Sequence, residues 1–469
     1  MTDLAFTDAA ELVELYRRRD ASPLEALDAC LERIDAVDGV LNAYVTVDRE
    51  GARDAARLAA DASVTGPLHG VPVGIKDLTE TAGMRTTFGS TIYTDNVPDV
   101  DALLVERLRA AGAIILGKTN TPEFGAGANT FNAVFGPTRN PWDPALTCGG
   151  SSGGSAVALA AGMSPLCEGS DLGGSLRTPA SFCGVVGFRT TPGLVPSWPD
   201  SLPFDGLAVT GPMSRSVADC ALMLSVMAGP DDRAPLSYDV DTAAFTEAVL
   251  EPSVAGWRVA FTPDLDGLLP VDPEVAEICE RAVRTLGTLG ARIEHASPDF
   301  HDVRAIVRAT RGLSMVVYHD DHYRDHAAAL QSGLRGNIEQ GLALTSPQIA
   351  DGLRRRTALW EQVRGFMADR ELLCVPTSPI MPFAVEQPFP TEIAGRAMED
   401  YTEWLSLTYA ITVTGLPVIS LPVGFTAAGL PVGMQIVGRR RREVDVLRAA
   451  AALERELALD RRPPRSYPA

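Results

Sequence analysis

No stretch of this chain approaches 18 uninterrupted apolar residues, so hydropathy gives no support for a membrane-spanning helix. The N-terminal residues Met1–Asp8 lack a basic segment followed by an apolar run, and no secretory signal is expected. The seven cysteines are odd in number and contain no C-x-x-C pair, which argues against a disulfide framework and for reduced thiols in a cytoplasmic protein. Positive charge is also scarce. With 41 Lys and Arg against 60 Asp and Glu, the net charge is -19, the wrong sign for a general nucleic-acid binder. What remains is an ordinary globular composition, 46% hydrophobic and 22% charged, with ample apolar material for a large core.

Periodicity organises that material into an α/β pattern. Residues 8–60 read as two or three amphipathic helices, the first capped by Asp8 with Glu11 completing a capping box, the second opened by Ser22, Pro23 and Glu25. Short apolar runs at 71–76 and 113–118 flank a helical segment at 101–111, a βαβ unit with parallel strands. Further strands are expected at 257–261, 291–294, 372–376, 418–421 and 432–437. Helices are expected over 273–289, through 302–370 and from Glu443. With no repeat and no long linker, one domain spans 1–469. Residues 1–65 form an outer helical layer, 66–220 the core around 149–179, and 221–469 the rest of the sheet and the helices of a cleft.

The centre of the chain is dense in Gly and Ser. Gly149 to Ser155 precedes an Ala-rich helix at 156–162, and Gly169 to Pro179 follows it. Successive N–H groups in such a glycine loop can point at one spot and stabilise developing negative charge. A phosphate-binding G-x-x-x-x-G-K-[ST] loop fails for want of the lysine, and a G-x-S-x-G nucleophile elbow fails at both central serines, with no histidine near by. A serine activated by a buried lysine is chemically sound. A Ser-Gly loop on its own is more often a structural turn, so the residues alone leave the choice open.

The stretch from Gly149 to Pro179 closely resembles the defining block of the amidase signature family. Pro72 to Asp77 is similar to that family's lysine motif. Flanking pieces match too: Gly117 to Asn120, Asn140-Pro141, Cys183 to Gly187, and Gly415 to Pro417 with Gly433. The 75 residues from Lys76 to Ser151 and the 24 from Ser151 to Ser175 agree with the family pattern. The resemblance implies a single α/β/α domain with a large mixed, twisted β-sheet covered by helices on both faces. It implies Ser175 as nucleophile, Ser151 as proton relay after a cis peptide bond from Gly150, and Lys76 as the neutral base. It implies an oxyanion hole from the backbone N–H groups of Leu172, Gly173, Gly174 and Ser175, with water clearing an acyl-enzyme.

Around that relay, Asp171 and Arg177 are expected to pair and, with Ser152, to brace the loop, while Ser155 caps the following helix. Phe124, Gly125, Ala126 and Gly127, with Trp404 and Leu405, are candidates to line the substrate cleft. His319, His322 and His326 at helical spacing read as a solvated face rather than a metal site, Arg439–Arg442 as a solvated turn, and Cys148 as a thiol the relay does not need. No metal or cofactor is expected. The partner is a small amide-type substrate, without nucleic acid or membrane, and a homodimer is compatible with the sequence.

Within the resembled family, the A chain of the tRNA-linked amidotransferase is the main alternative to a stand-alone amidase, and a catalytically silent binding protein is the second. That amidotransferase chain holds glutamine with an arginine, for which Arg356 is the candidate, and an aspartate whose position falls near Trp404 and Leu405. Apolar residues there leave an α-ammonium group without a partner. The expected substrate is therefore an apolar or aromatic amide, with anilides, esters or carbamates as relatives of it.

Overall fold

The structure is a computed structural model that describes residues 3–464 and 467. Its frame is an eleven-stranded mixed sheet. The strands are β1 (Tyr44–Val47), β2 (Pro72–Lys76), β3 (Ile114–Thr119), β4 (Leu166–Asp171), β5 (Val186–Arg189), β6 (Val209–Ser214), β7 (Arg258–Phe261), β8 (Arg292–His295), β9 (Leu372–Pro376), β10 (Val418–Phe425) and β11 (Pro431–Gly438). They lie in the order β1-β3-β2-β4-β6-β5-β10-β11-β9-β7-β8. β2 pairs in parallel with both β3 and β4, whereas β4 and β6 are antiparallel. The expected βαβ unit is present, with helix Leu103–Ala110 between β2 and β3.

Both faces of the sheet are covered, and the strands show why. In β3, Ile115 enters one apolar cluster while Ile114 and Leu116 enter another. In β10, Ile419 and Leu421 face the C-terminal helix Glu443–Leu457, and Val418 faces the opposite layer. Strands buried on both faces lose the polar alternation of a half-exposed sheet and read as continuous apolar runs. The expected helical stretch at 302–370 resolves into Val303–His326, Ser332–Leu342 and Ser346–Phe366. Among the described residues, no helix is long and apolar enough to cross a membrane.

The N-terminal caps divide. Ser22 and Glu25 form the reciprocal box expected of them, with Glu25 N donating to Ser22 Oγ at 3.2 Å and Ser22 N to Glu25 Oε2 at 2.8 Å. Asp8 makes no capping bond to helix Ala9–Arg18, contrary to the sequence reading. The buried Asp219, 210 residues away, accepts from Ala9 N at 2.7 Å and from Ala10 N at 3.1 Å. Tertiary packing has replaced a local cap with a distant one. Asp219→Ala strips both N–H groups of their acceptor and is expected to cost about 1–2 kcal/mol of stability. A urea-unfolding midpoint equal to that of the parent protein would show the cap to be idle.

Candidate functional site

Because β2 and β4 are parallel neighbours, their C-terminal ends emerge at one edge of the sheet, where open α/β sheets place their ligands. Lys76 ends β2 and Asp171 ends β4. Helix Gly153–Ala160 packs on both strands and brings Ser151 and Ser152 to the same edge. That approach needs glycine. A Cβ on Gly154 would stand 2.3 Å from Asn120 N. The helix begins three residues before the expected Ala156, so Ser155 lies inside it and does not cap it. Its hydroxyl donates to the Glu168 carbonyl at 2.8 Å and meets Thr119 Oγ1 at 2.7 Å.

Lys76 is fully buried, and its Nζ is surrounded by hydroxyls: Ser151 Oγ at 2.7 Å, Ser152 Oγ at 2.9 Å and Ser170 Oγ at 2.9 Å. Burial pushes its pKa down to about 7, against the opposing pull of Glu168 and Asp171. Three hydroxyl neighbours suit both protonation states. An ammonium donates to all three, while a neutral amine donates two hydrogens and accepts one into its lone pair. The side chain can therefore gain and lose a proton without rearrangement. Glu168, which sequence reasoning missed, lies beneath it. Lys76 N donates to Glu168 Oε2 at 3.0 Å, Thr79 Oγ1 donates at 3.2 Å, and burial raises the carboxyl pKa.

The peptide bond from Gly150 to Ser151 is cis. Ser175 is half-buried on the cleft wall, its carbonyl accepting from Ser152 N at 3.1 Å. Among the described residues, no hydrogen bond joins Ser151 Oγ to Ser175 Oγ. The loop between β4 and Arg177 is held by Asp171, which accepts from Gly174 N at 2.9 Å and Leu176 N at 3.1 Å. Arg177 reaches the same carboxylate through Nε at 3.0 Å and Nη2 at 2.9 Å, the pairing expected from the sequence. Arg189, which no sequence pattern marks, adds a further contact at 3.2 Å. Burial on its own would raise the Asp171 carboxyl, yet the two guanidiniums hold it well below the usual carboxylate range.

This brace changes the expected oxyanion hole. The Gly174 N–H is already committed to Asp171 and is not free to meet a substrate oxygen. The N–H groups of Leu172, Gly173 and Ser175 donate to no protein acceptor among the described residues. Arg177 also spans to Thr408 O, Thr412 Oγ1 and Gln435 Oε1, at 2.9, 2.7 and 2.7 Å. Asp171→Ala leaves two buried guanidiniums without their anion, and breaking such a pair costs about 3–5 kcal/mol. Equilibrium denaturation should register a loss of that size; a change under about 1 kcal/mol would mean that the other acceptors hold the arginines unaided.

The loop opens into a cleft of about 470 Å³. Phe124, Gly125, Ala126, Gly127 and Leu405 line it as expected. Trp404 does not. It is 0% exposed, packed away from the cleft in a cluster with Phe182, stacked at 6.4 Å, and Phe383, edge-on at 5.8 Å. Adjacent residues in the short 3-10 turn Glu403–Leu405 point different ways, and only Leu405 reaches the cavity. Arg356 lies outside the cleft too. Its Nε donates to Val413 O at 2.9 Å, and it lines a separate depression beside Thr191 and Trp360.

The histidine helix also departs from the sequence reading. His319 is 8% exposed and lines the cleft, with its ring 4.9 Å from that of Phe124. His322 lies 4.7 Å from Phe124 and 2.9 Å from the Tyr93 hydroxyl, and only His326 is fully on the surface. Among the described residues, no group of three His, Cys, Asp or Glu is placed to hold a metal. Arg440 to Arg442 form an exposed turn, as read from the sequence, while Arg439 is half-buried. The Cys148 thiol is buried among carbonyls and pushed up to about 12 by burial, which leaves it unreactive. Arg311, Tyr401 and Tyr409 also line the cleft, although nothing in their sequence spacing marks them.

Known proteins resemble this chain in sequence and in fold. The sequence model of the family described as Amidase matches residues 25–447. The chain is 39% identical over 461 residues to an acylamidase of Rhodococcus erythropolis, with 96% of each chain covered. It is 37% identical over 492 residues to the A chain of the glutamyl-tRNA(Gln) amidotransferase of Moorella thermoacetica, covering 98% of this chain and 99% of that one. Among solved structures, a bacterial aryl acylamidase of the amidase signature enzymes superposes with a TM-score of 0.89 at 30% identity, over 97% of both chains. The chain belongs to the Amidase family of amide-hydrolysing enzymes.

Proposed function

We propose that this enzyme hydrolyses amides with apolar or aromatic substituents through an acyl-enzyme on Ser175. The observation that carries this reading is Lys76, buried among hydroxyls, with burial pushing its pKa down to about 7, at the head of a cleft walled mostly by aromatic and aliphatic side chains, with Glu80, Asp200 and Arg311 also lining it. Ser175 Oγ attacks the carbonyl carbon as its proton passes to Ser151 Oγ, while the Ser151 proton passes to Lys76 Nζ. That transfer requires the two serine hydroxyls to meet when substrate is bound. The N–H groups of Leu172, Gly173 and Ser175 take the developing oxyanion, and the Arg177–Asp171–Arg189 cluster beneath them carries one net positive charge that favours it. Reversal of the relay protonates the leaving amine, and water then releases the acid.

Similarity to an acylamidase and an aryl acylamidase supports a stand-alone hydrolase. Similarity to the A chains of tRNA amidotransferases keeps glutamine as the competing substrate. The position of Arg356 outside the cleft removes the residue that the sequence offered for holding glutamine. Two measurements on the purified chain decide the matter: labelling of Ser175 by a fluorophosphonate, and turnover of an aryl-amide panel beside glutamine. Labelling with aryl-amide turnover is expected. Activity confined to glutamine and dependent on added partner proteins would overturn the proposal.

A further inference from the structure

Arg177 and Arg189 share the carboxylate of Asp171, but Arg311, buried in the cleft wall, has none within ion-pair distance among the described residues. Its Nη1 donates to Asn337 Oδ1 at 2.7 Å and its Nη2 to the Tyr401 hydroxyl. The hydroxyl of Tyr409 also lies beside the guanidinium. Arginine can only donate, so a hydroxyl next to it turns its lone pairs to the cation and its hydrogen away. At Tyr409 that hydrogen has no acceptor among the described residues. The residue is only 4% exposed, yet its hydroxyl oxygen is not among the sealed polar atoms, and the surface it keeps opens on the cleft.

The same hydroxyl stands at the loop that carries Ser175. Tyr409 belongs to helix Ser406–Thr412, which is fastened to that loop twice: Thr408 Oγ1 donates to the Gly173 carbonyl at 2.7 Å, and Arg177 Nη1 donates to the Thr408 carbonyl at 2.9 Å. The hydroxyl end of the Tyr409 ring meets the loop. A Cβ added at Gly173 would stand 2.3 Å from Tyr409 Cζ and 2.7 Å from the hydroxyl oxygen, so only glycine leaves room for it. A Cβ lies about 2.5 Å from its own backbone nitrogen, which puts the hydroxyl oxygen no more than about 5 Å from Gly173 N. Two donors about 5 Å apart can both reach one oxygen at ordinary hydrogen-bond length.

We propose that the Tyr409 hydroxyl is a fourth donor to the oxyanion, beside the N–H groups of Leu172, Gly173 and Ser175, and stands in for the Gly174 N–H that Asp171 withholds. The proton stays on the phenol throughout. Burial holds the group well above its usual range against the opposing pull of Arg311, so it remains a donor at neutral pH. Arg311 behind it polarises the O–H bond and adds positive charge on the side where the oxyanion forms. A carboxylate on that guanidinium would cancel the field. This role rests on the hydrolase reading and deepens it.

The test is Tyr409→Phe, which removes the hydroxyl and keeps the ring, assayed on the fastest aryl amide of the panel. Because the charge develops only in the transition state, kcat is expected to fall on the order of 10²-fold while KM stays within about threefold. Affinity for phenyl trifluoromethyl ketone, whose serine adduct carries an oxyanion at the loop, should fall by a similar factor. A kcat within about threefold of the parent overturns the proposal. So does a loss confined to KM, which marks a ground-state contact, or an unchanged ketone affinity. If urea unfolding shows that Tyr409→Phe does not fold, 3-fluorotyrosine in place of Tyr409 keeps the shape and makes the phenol a stronger donor. It is expected to tighten the ketone adduct about twofold, and no tightening counts against the role. If the parent protein turns over no amide and takes no fluorophosphonate label, the hydrolase reading fails and this role falls with it; parent turnover that survives Tyr409→Phe sinks the Tyr409 role alone.

Discussion

Ser175→Ala is expected to lower kcat on an aryl amide by on the order of 10⁴-fold or more and to abolish fluorophosphonate labelling. Removal of a nucleophile leaves only binding and the oxyanion donors, and these cannot form the acyl-enzyme. Stability should hardly change. The Ser175 hydroxyl faces the cleft without a hydrogen bond among the described residues, and its backbone tie to Ser152 is retained. Unfolding should stay within about 0.5 kcal/mol of the parent. A variant that keeps a tenth of the parent turnover would remove Ser175 as the nucleophile.

Lys76→Ala should have the second largest effect, with a pH signature that no merely structural role predicts. Burial brings the Lys76 pKa down to about 7, and the base works only when deprotonated. In the parent enzyme kcat/KM should therefore rise with pH through about 7 and level off above it. The variant has no such group. Its rate should fall by about 10²–10⁴-fold at neutral pH, and the deficit should shrink in alkali as hydroxide substitutes for the base. The decisive measurement is the kcat/KM profile of both proteins over the same pH range. A variant that keeps the inflection near 7 would show that another group produces it; Glu168, raised by its own burial, is the one to examine next.

Much of this site is legible in the chain, and what is not has physical causes. Apolar runs such as Ile114 to Leu116 announce strands because both faces of the sheet are covered. β4 is harder to see. Its Cys-Glu-Gly-Ser-Asp sequence lacks an apolar run because it ends in the site itself. The spacing of Lys76, Ser151 and Ser175 is a local signature, whereas Arg189 matters through Asp171, a charge that the fold brings to it from elsewhere. His319 reads as surface because aspartates follow it in sequence, yet the helix turns it inward and Asp320 and Asp321 outward. The Asp8 cap fails for the same reason: a carboxylate from a distant helix reaches the amides first. Gly174 belongs to the expected loop but not to its free donors, since Asp171 takes its hydrogen.

The Arg177 fan to Thr408, Thr412 and Gln435 bears on how the enzyme reaches its working form. Every residue of the relay lies before position 176, yet the loop that carries Ser175 is pinned by chain more than 230 residues further on. A nascent or truncated chain that ends before Thr408 holds the whole relay in sequence and lacks the anchor that shapes it. During refolding, competence should appear late, with the closing of the most sequence-distant contacts, and not with the first helices. The return of turnover is then a clock for completion of the whole sheet.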